Sequence, residues 1–482
     1  MSDPTRDVDV AILGAGTAGL TARRAAKKEG ASVLVIDQGP LGTTCARVGC
    51  MPSKLLIAAA DAAHHARKAH GLGVRVEGVT IDGPAVFSRV RRERDRFVGA
   101  VTEAVDDFAA DAELLVGRAQ VVGPGRLRVR DPASGATEVR FRALVIATGT
   151  TPFVPRPYRE LPLLTSESIF ELETLPESLL VVGLGAIGLE LGQAFHRLGV
   201  RTTMLGIGGG IGPIVDPEVH AAAAQLYGET LDLHPEHTLE SVEPDGEGAR
   251  VRFTGADGRA RDARFERVLS AAGRRTTLGG LGLEALGVTP DASGRYPIDE
   301  ATLQLGELPV FVAGDVNELH PLMHEAADDG RLAGANAARF PEVRAPRRRT
   351  PLAIVFADPQ IAIVGGGYRE ACAREAVAGG TSFETQGRAR IMAENRGLAR
   401  VYAERRGGHL VGAEVLGPRA EHLGHLLAWA VAKDVTVEEA LAMPFYHPVL
   451  EEGLRSALYD LAANLRRGPT IRCAVSEVGV GG

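Results

Sequence analysis

The sequence lacks long apolar runs. No stretch of about 18 apolar residues is free of charge or of a glycine-rich interruption, so no segment is predicted to span a membrane. The first residues, Met1 to Asp9, are polar and acidic without an apolar core, so neither a secretory signal nor a transit peptide is expected. These absences predict a cytoplasmic protein.

Cysteine and lysine are also scarce. The net charge is −7 and the pI about 6.1, and the basic run Arg347–Arg349 is too short to indicate a nucleic-acid partner. Of the four cysteines, Cys372 and Cys473 stand alone, and no second CxxC-type pair completes a zinc site, so no metal is predicted. Only five of the 54 basic residues are lysine, which makes the position of Lys54 informative.

The chain does contain two copies of a nucleotide-binding pattern. In the first copy, an apolar strand from Val8 to Leu13 precedes Gly14-Ala15-Gly16-Thr17-Ala18-Gly19, and a second strand ends in Asp37. Gly14 permits a tight turn, Gly16 lets the backbone approach a pyrophosphate, and Gly19 allows close packing of helix on strand. An acid such as Asp37 holds a ribose hydroxyl pair, so this copy predicts a dinucleotide site.

The second copy runs from the strand Leu179–Val182 through Gly183, Gly185 and Gly188 to a strand Arg201–Leu205. No acid follows that strand, and no Arg or Lys occurs between Gly206 and Asp216. A 2′-hydroxyl therefore has no evident acceptor and a 2′-phosphate no evident cation.

The segment from Cys45 to Cys50 is the strongest chemical signal. In a regular helix, positions five apart are separated by more than about 7 Å, so a disulfide there requires a bent backbone. Gly49 and Pro52 are the expected places for the bend, and a bridge in so short a loop should be easily reduced. The alternative is two unrelated buried thiols.

This segment resembles the redox-active disulfide of the pyridine nucleotide-disulfide oxidoreductases, the class I flavoprotein disulfide reductases, and within them dihydrolipoamide dehydrogenase most. The resemblance covers the chain from Val8 to about Arg466. It implies an α/β fold with two Rossmann-like dinucleotide-binding domains, for FAD and NAD, and a C-terminal α+β dimerisation domain. The expected domains are 1–153 (FAD, with the disulfide), 154–272 (NAD(P)), 273–346 (central, completing the FAD site) and 347–482 (interface).

The resemblance implies the cofactor residues as well. Thr44, Thr148, Gly149, Gly314 and Asp315 join the first glycine motif at the FAD site. In the second motif, Gly206 stands where NAD-dependent members carry glutamate and Ile207 where NADPH-dependent members carry arginine. NAD is favoured and NADP is not excluded, and Gly206→Glu is expected to strengthen the preference for NAD.

The catalytic residues are also implied by the resemblance. Cys50 corresponds to the thiol that faces the flavin and Cys45 to the interchange thiol, while Lys54 pairs with Glu190 beside the flavin. His447 is the expected base, oriented by Glu452, in the pattern HPxxxE. The imidazole is expected to act on the disulfide of the other subunit of a homodimer.

The physiological substrate and direction are less determined, and so is membership of a 2-oxoacid dehydrogenase complex. Leu322-Met323-His324-Glu325-Ala326 resembles the corresponding segment of dihydrolipoamide dehydrogenases, which favours a lipoyl group. Thr17 and Arg24 lie where glutathione reductases hold their peptide substrate, so an NAD(P)H-dependent reductase of another disulfide or of a metal ion is the alternative. Mercuric reductase is disfavoured because the C-terminus lacks a vicinal cysteine pair.

Overall fold

Short apolar segments form strands that are buried along most of their length, which is typical of parallel sheets covered by helices. The computed structural model describes residues 4–133, 135–468 and 471. The chain divides into two compact units. Unit 1 comprises Met1–Pro52, Arg91–Pro152 and Arg274–Arg348, and unit 2 comprises Ser53–Val90, Phe153–Gly273 and Arg349–Gly482.

The strands of the described residues are, in chain order, β1 (Thr5–Leu13), β2 (Val33–Asp37), β3 (Leu114–Val116), β4 (Arg118–Gly123), β5 (Arg126–Asp131), β6 (Gly135–Ile146), β7 (Thr150–Pro152), β8 (Leu164–Thr165), β9 (Ser178–Val182), β10 (Arg201–Leu205), β11 (Asp232–His234), β12 (His237–Asp245), β13 (Gly248–Gly255), β14 (Ala260–Phe265), β15 (Arg267–Ser270), β16 (Arg274–Thr276), β17 (Val310–Val312), β18 (Leu352–Val355), β19 (Gln360–Gly365), β20 (Val377–Ser382), β21 (Leu398–Ala403) and β22 (Leu410–Gly417).

The α-helices are α1 (Thr17–Lys28), α2 (Thr44–Val48), α3 (Cys50–Lys68), α4 (Gly83–Ala110), α5 (Ala186–Arg197), α6 (Pro217–Gly228), α7 (Met323–Arg339), α8 (Gly367–Ala373), α9 (Gly387–Ile391), α10 (Ala420–Ala432), α11 (Val437–Ala442) and α12 (Glu452–Arg467). Short 3-10 helices lie at Ala69–Leu72, Arg156–Tyr158, Ile169–Glu171, Leu278–Gly280, Leu283–Leu286 and Asp315–Asn317.

Unit 1 is built on one sheet with the order β3-β2-β1-β6-β5-β4, in which β17 also pairs with β6. β1 and β17 both run parallel to β6, with Leu13 and Val312 each in register with Ile146. The carboxyl ends of these three strands therefore meet, and the loops that follow them share one edge of the sheet. Ligands of open α/β sheets bind at such an edge.

Helix α7 packs closely on α1 in unit 1. A Cβ at Gly330 would lie 2.2 Å from the Ala18 carbonyl oxygen, and one at Gly334 would lie 2.2 Å from that of Ala22. Only glycine allows the two backbones this approach. The contact fixes the helix of the first glycine motif against the segment that follows β17.

Unit 2 contains a parallel sheet, β11-β10-β9-β15-β8, and an antiparallel sheet, β12-β13-β14. Its C-terminal part is a second antiparallel sheet, β18-β19-β22-β21-β20, with an apolar core shared with α10 and α12. The predicted strand Arg201–Leu205 has exactly the bounds of β10, and β1 begins three residues before the predicted start. The domain boundaries at 153, 272 and 346 stay a prediction.

Candidate functional site

The first glycine motif forms a tight turn between β1 and α1. A Cβ at Gly14 would lie 2.3 Å from the Ala147 carbonyl oxygen, and one at Gly19 would lie 1.8 Å from the Gly14 carbonyl oxygen. At Gly16, in contrast, no atom of the described residues lies within 4 Å of the Cβ position, and the residue faces a cleft. Gly14 and Gly19 therefore permit close packing, while Gly16 leaves the backbone accessible at the start of a helix.

A cleft of about 560 Å³ opens beside this turn in unit 1. It is lined by the loops that follow β1, β2, β6 and β17 and by the cysteine segment. The predicted FAD residues on its wall are Gly14, Gly16, Asp37, Thr44, Thr148, Gly149, Gly314 and Asp315. Gly19 is not on the wall because it packs beneath the turn.

Asp37 ends β2 with its carboxylate beside the turn. Its Oδ2 accepts a hydrogen bond from the Ala15 N–H at 2.6 Å, and its Oδ1 accepts one from the Gly39 N–H at 2.6 Å. Elsewhere in the lining of the cleft, Thr277 Oγ1 donates to Thr148 Oγ1 at 2.7 Å. The acid is thus held at the position expected for a ribose acceptor.

A buried carboxylate supports the Gly314–Asp315 turn from behind. Asp329 Oδ2 accepts from the Gly314 N–H at 3.0 Å and from Asn317 Nδ2 at 2.7 Å, and Arg348 pairs with Asp329. Burial raises the pKa of Asp315, and the charge of Arg274 opposes that rise. Sequence reasoning missed Asp329, whose only signal is an acid on the buried face of α7.

The cysteine segment is two helices separated by a break. Thr43 caps α2 by accepting a hydrogen bond from the Ala46 N–H at 3.2 Å. The helix ends at Gly49, whose φ of −124° and ψ of −114° are not helical, and α3 begins at the next residue. A Cβ at Gly49 would lie 3.4 Å from the Cys45 Cα, so the chain folds back on itself there.

This break brings Cys45 and Cys50 close together on the wall of the cleft. The predicted bend at Gly49 is confirmed. The predicted bend at Pro52 is wrong, because Pro52 lies in the first turn of α3. A proline is compatible with that turn, since the N–H it lacks would have no helical partner.

Arg47, between the two cysteines, also lines the cleft, and sequence reasoning missed it. Its Nε is buried and has no hydrogen-bond partner among the residues that the structure describes. An orphaned donor of a guanidinium group fits an anionic ligand. The sequence feature that could have identified Arg47 is a basic residue between the two cysteines.

The residues of the cleft fit FAD. The space beside Gly16, the carboxylate of Asp37 and the orphaned Arg47 Nε suit a dinucleotide with a pyrophosphate. Cys45 and Cys50 both line the same cleft. A flavin bound there would have a redox partner beside it.

The second glycine motif repeats this geometry in unit 2, between β9 and α5. A Cβ at Gly183 would lie 2.3 Å from the Ala271 carbonyl oxygen, and one at Gly188 would lie 2.0 Å from that of Gly183. Nothing lies within 4 Å of a Cβ at Gly185. The motif therefore has the same packed and open positions as the first.

Gly206 follows β10 directly, as predicted, but it cannot carry a side chain without rearrangement. A Cβ there would lie 2.7 Å from the Pro235 carbonyl oxygen and 2.8 Å from Leu184 Cδ1. Gly206→Glu would therefore require its neighbours to shift, and its expected effect on the NAD preference stays a prediction. The backbone of the neighbouring segment occupies the space that a glutamate would need.

Lys54 and Glu190 form the predicted ion pair in unit 2. Lys54 Nζ donates to Glu190 Oε2 at 2.7 Å, and the Glu190 side chain is only 7% exposed. Glu190 Oε1 accepts from the Phe356 N–H at 3.0 Å, and Lys54 Nζ lies 4.7 Å from the centre of the Phe356 ring. The pair and the ring hold each other in place.

His447 and Glu452 also contact each other in unit 2. His447 Nδ1 lies 3.0 and 3.1 Å from the two Glu452 carboxylate oxygens. The hydrogen bond with His447 lowers the pKa of Glu452. The imidazole side chain is 79% exposed, so Nε2 remains available to a reaction partner.

The positions that bear on the substrate fall on two helices of unit 1. Thr17 lines the cleft at the start of α1, and Arg24 is exposed further along it. Met323, at the start of α7, lines the cleft, and the next residue, His324, has a side chain 51% exposed. The residues on α1 and those on α7 therefore both stay candidates for contact with the substrate.

Cys372, in α8, is disulfide-bonded, so it is not an isolated thiol as the sequence suggested. Cys473 lies outside the described residues. Within the described part of the chain, no cluster of three or more His, Cys, Asp or Glu side chains is arranged to hold a metal ion. The same residues include no helix with the length and apolar character needed to cross a membrane.

Two family models match the sequence. Residues 8–330 match the model described as pyridine nucleotide-disulphide oxidoreductase. Residues 352–458 match the model of the dimerisation domain of the same proteins, which supports a homodimer.

Relatives match along nearly the whole chain. A mercuric reductase of Streptomyces lividans is 34% identical over 473 residues, with 95% of this chain and 97% of the relative covered. A dihydrolipoyl dehydrogenase of Halobacterium salinarum is 31% identical over 467 residues, with the same coverage. The crystal structure of LpdA from Mycobacterium tuberculosis superimposes with a TM-score of 0.79 at 26% identity, covering 95% of this chain and 99% of that one. The chain therefore belongs to the pyridine nucleotide-disulphide oxidoreductases, flavoprotein disulfide oxidoreductases that bind FAD and NAD(P).

Proposed function

We propose that this enzyme oxidises dihydrolipoamide to lipoamide with NAD as the acceptor, through a disulfide between Cys45 and Cys50. The observation that carries the proposal is the close pair of cysteines on the wall of the FAD cleft. The segment Leu322–Ala326 and the dihydrolipoyl dehydrogenase relatives favour the lipoyl group.

The substrate step is a thiol–disulfide exchange. His447 removes the proton from one substrate thiol, and the thiolate attacks Cys45 Sγ. The bond between Cys45 and Cys50 breaks, which leaves a mixed disulfide at Cys45 and a thiolate at Cys50. The second substrate sulfur then closes the cyclic disulfide, and its proton passes to Cys45 as that thiol leaves. Two electrons and two protons have moved from substrate to enzyme.

The residues around Cys50 favour its thiolate. Cys50 is the first residue of α3, and the amino end of a helix stabilises negative charge. Lys54 follows four residues later in the same helix, and its pairing with Glu190 compensates the burial of that carboxylate. FAD held by the cleft residues would supply the acceptor for the two electrons and their transfer to NAD.

His447 is proposed to serve the disulfide of a second copy of the chain. Large apolar side chains near it and on α10 and α12 are exposed, namely Leu426 (42%), Trp429 (66%), Met443 (48%), Tyr446 (79%) and Tyr459 (53%). A surface of this kind is typical of an interface. Covering it with a second copy would bury the imidazole beside a substrate.

A second candidate is the reverse reaction, the NAD(P)H-dependent reduction of another disulfide or of a metal ion. The observations that favour it are the mercuric reductase relative and the exposed Arg24, which suits a charged substrate.

One assay separates the candidates. Purified enzyme is tested with dihydrolipoamide plus NAD, and separately with oxidised glutathione or Hg²⁺ plus NADH or NADPH. Turnover of dihydrolipoamide at a kcat/KM well above every other pair supports the proposal. A higher kcat/KM for glutathione or Hg²⁺ rejects it in favour of the alternative, and Cys45→Ser serves as the control that disulfide exchange is being measured.

A further inference from the structure

The second nucleotide motif has no acid at the end of β10, where a ribose acceptor ordinarily lies. A carboxylate reaches this place from the segment that follows the neighbouring strand β11. β11 runs parallel to β10 with Leu205 in register with His234. Glu236 lies two residues after the end of β11, as Ile207 lies two residues after the end of β10, and adjacent strands are about 4.8 Å apart. A glutamate side chain spans that distance.

The loop after β10 is hydrogen-bonded to the segment that contains Glu236. The Gly206 N–H donates to the His234 carbonyl at 2.8 Å, and the Gly209 N–H donates to the Pro235 carbonyl at 3.2 Å. On its other side, His220 Nε2 lies 2.9 Å from the Gly209 carbonyl oxygen. The two segments therefore form one surface at the carboxyl end of the sheet.

The carboxylate of Glu236 lies directly over this loop. A Cβ at Gly209 would be 2.9 Å from Glu236 Oε1, and the φ of Gly209 is +77°. Glycine at this position thus leaves room for the acid. Glu236 is exposed, so its oxygens are open to a ligand.

We propose that Glu236 accepts the adenosine ribose hydroxyls and selects NAD(H) over NADP(H), in place of the acid missing at position 206. A carboxylate accepts both hydroxyl donors, and it repels a 2′-phosphate through like charge. No Arg or Lys between Gly206 and Asp216 offsets that repulsion. The inference rests on the second motif as the NAD(P) site and holds for any disulfide substrate.

The test measures binding without turnover. The FAD-loaded enzyme is titrated calorimetrically with ADP-ribose and with 2′-phospho-ADP-ribose. Wild type is expected to bind ADP-ribose more tightly. Glu236→Gln should raise the Kd of ADP-ribose about tenfold, the scale of one charged hydrogen bond. Glu236→Lys should reverse the preference between the two ligands.

Glu243→Gln is the matched control, because Glu243 is exposed on β12 and the substitution makes the same charge change. Its Kd values should equal those of wild type. An unchanged Kd for ADP-ribose in Glu236→Gln would overturn the role of Glu236 alone. Absence of ADP-ribose binding in wild type would overturn the assignment of the second motif as well.

Discussion

Two inactive variants should restore activity when they are combined in one dimer. Cys45→Ser removes the interchange thiol and His447→Gln removes the base, so each homodimer should lose most of its disulfide turnover, by about 10²-fold or more. The His447 ring is held by Glu452 at 3.0 Å, while the His447 side chain is 79% exposed. Because the His447 imidazole is so exposed in its own chain, we expect it to complete the active site of a second copy of the chain.

The expected magnitude follows from counting sites in the mixed dimer. One site combines the intact disulfide of the His447→Gln chain with the intact imidazole of the Cys45→Ser chain, and the other site lacks both. About half of the wild-type activity per dimer should therefore return, if the two sites of a two-fold dimer act independently. The variants are co-expressed with different tags, purified by both tags, and assayed after their FAD content is equalised.

A matched dimer distinguishes action between chains from action within one chain. It pairs a wild-type chain with a chain carrying both substitutions. If the base acts across the interface, this dimer has no complete site and is inactive. If the base acts within its own chain, the matched dimer retains half of the activity and the split dimer has none. That second result would contradict an active site shared between two chains.

Three further predictions concern the cleft and the loop after β10. Two-electron reduction should produce a long-wavelength thiolate-to-flavin absorption band that Cys50→Ser abolishes, whereas Cys45→Ser shows such a band without reductant; identical spectra would contradict the assigned roles. Gly206→Ala should lower the free energy of unfolding by about 1–3 kcal/mol, because its Cβ meets the Pro235 backbone in the segment after β11, whereas Gly210→Ala, with no described atom within 4 Å of its Cβ, should not; equal melting temperatures would reject this. Because burial raises the pKa of Asp315, its ionised form costs stability at neutral pH, and that cost disappears as the pH falls through the raised pKa. Asp315→Asn should therefore raise the melting temperature of the apoprotein at pH 7 while weakening FAD retention, and a lower melting temperature would contradict the sign.

Local requirements made several features predictable from the sequence alone. The turns at Gly14 and Gly183 need glycine because a carbonyl oxygen lies 2.3 Å from each Cβ position, so the motif itself indicates the turn. The break at Gly49 followed from the distance between two cysteines in a regular helix. The contact between Lys54 and Glu190 was expected from the family resemblance and from the scarcity of lysine. Lys54 Nζ lies 2.7 Å from Glu190 Oε2.

Other features depend on residues that are distant in sequence and become neighbours only when the chain folds. Gly206 lacks room for a side chain because the segment after β11 packs against it, and no local pattern shows that contact. Asp329 supports the Gly314 turn from a helix that begins after the turn has ended. Glu236 reaches the nucleotide edge only because β10 and β11 are neighbours in the sheet. Turn chemistry is encoded locally, whereas the space and charge around a turn are set by whichever strands and helices pack beside it.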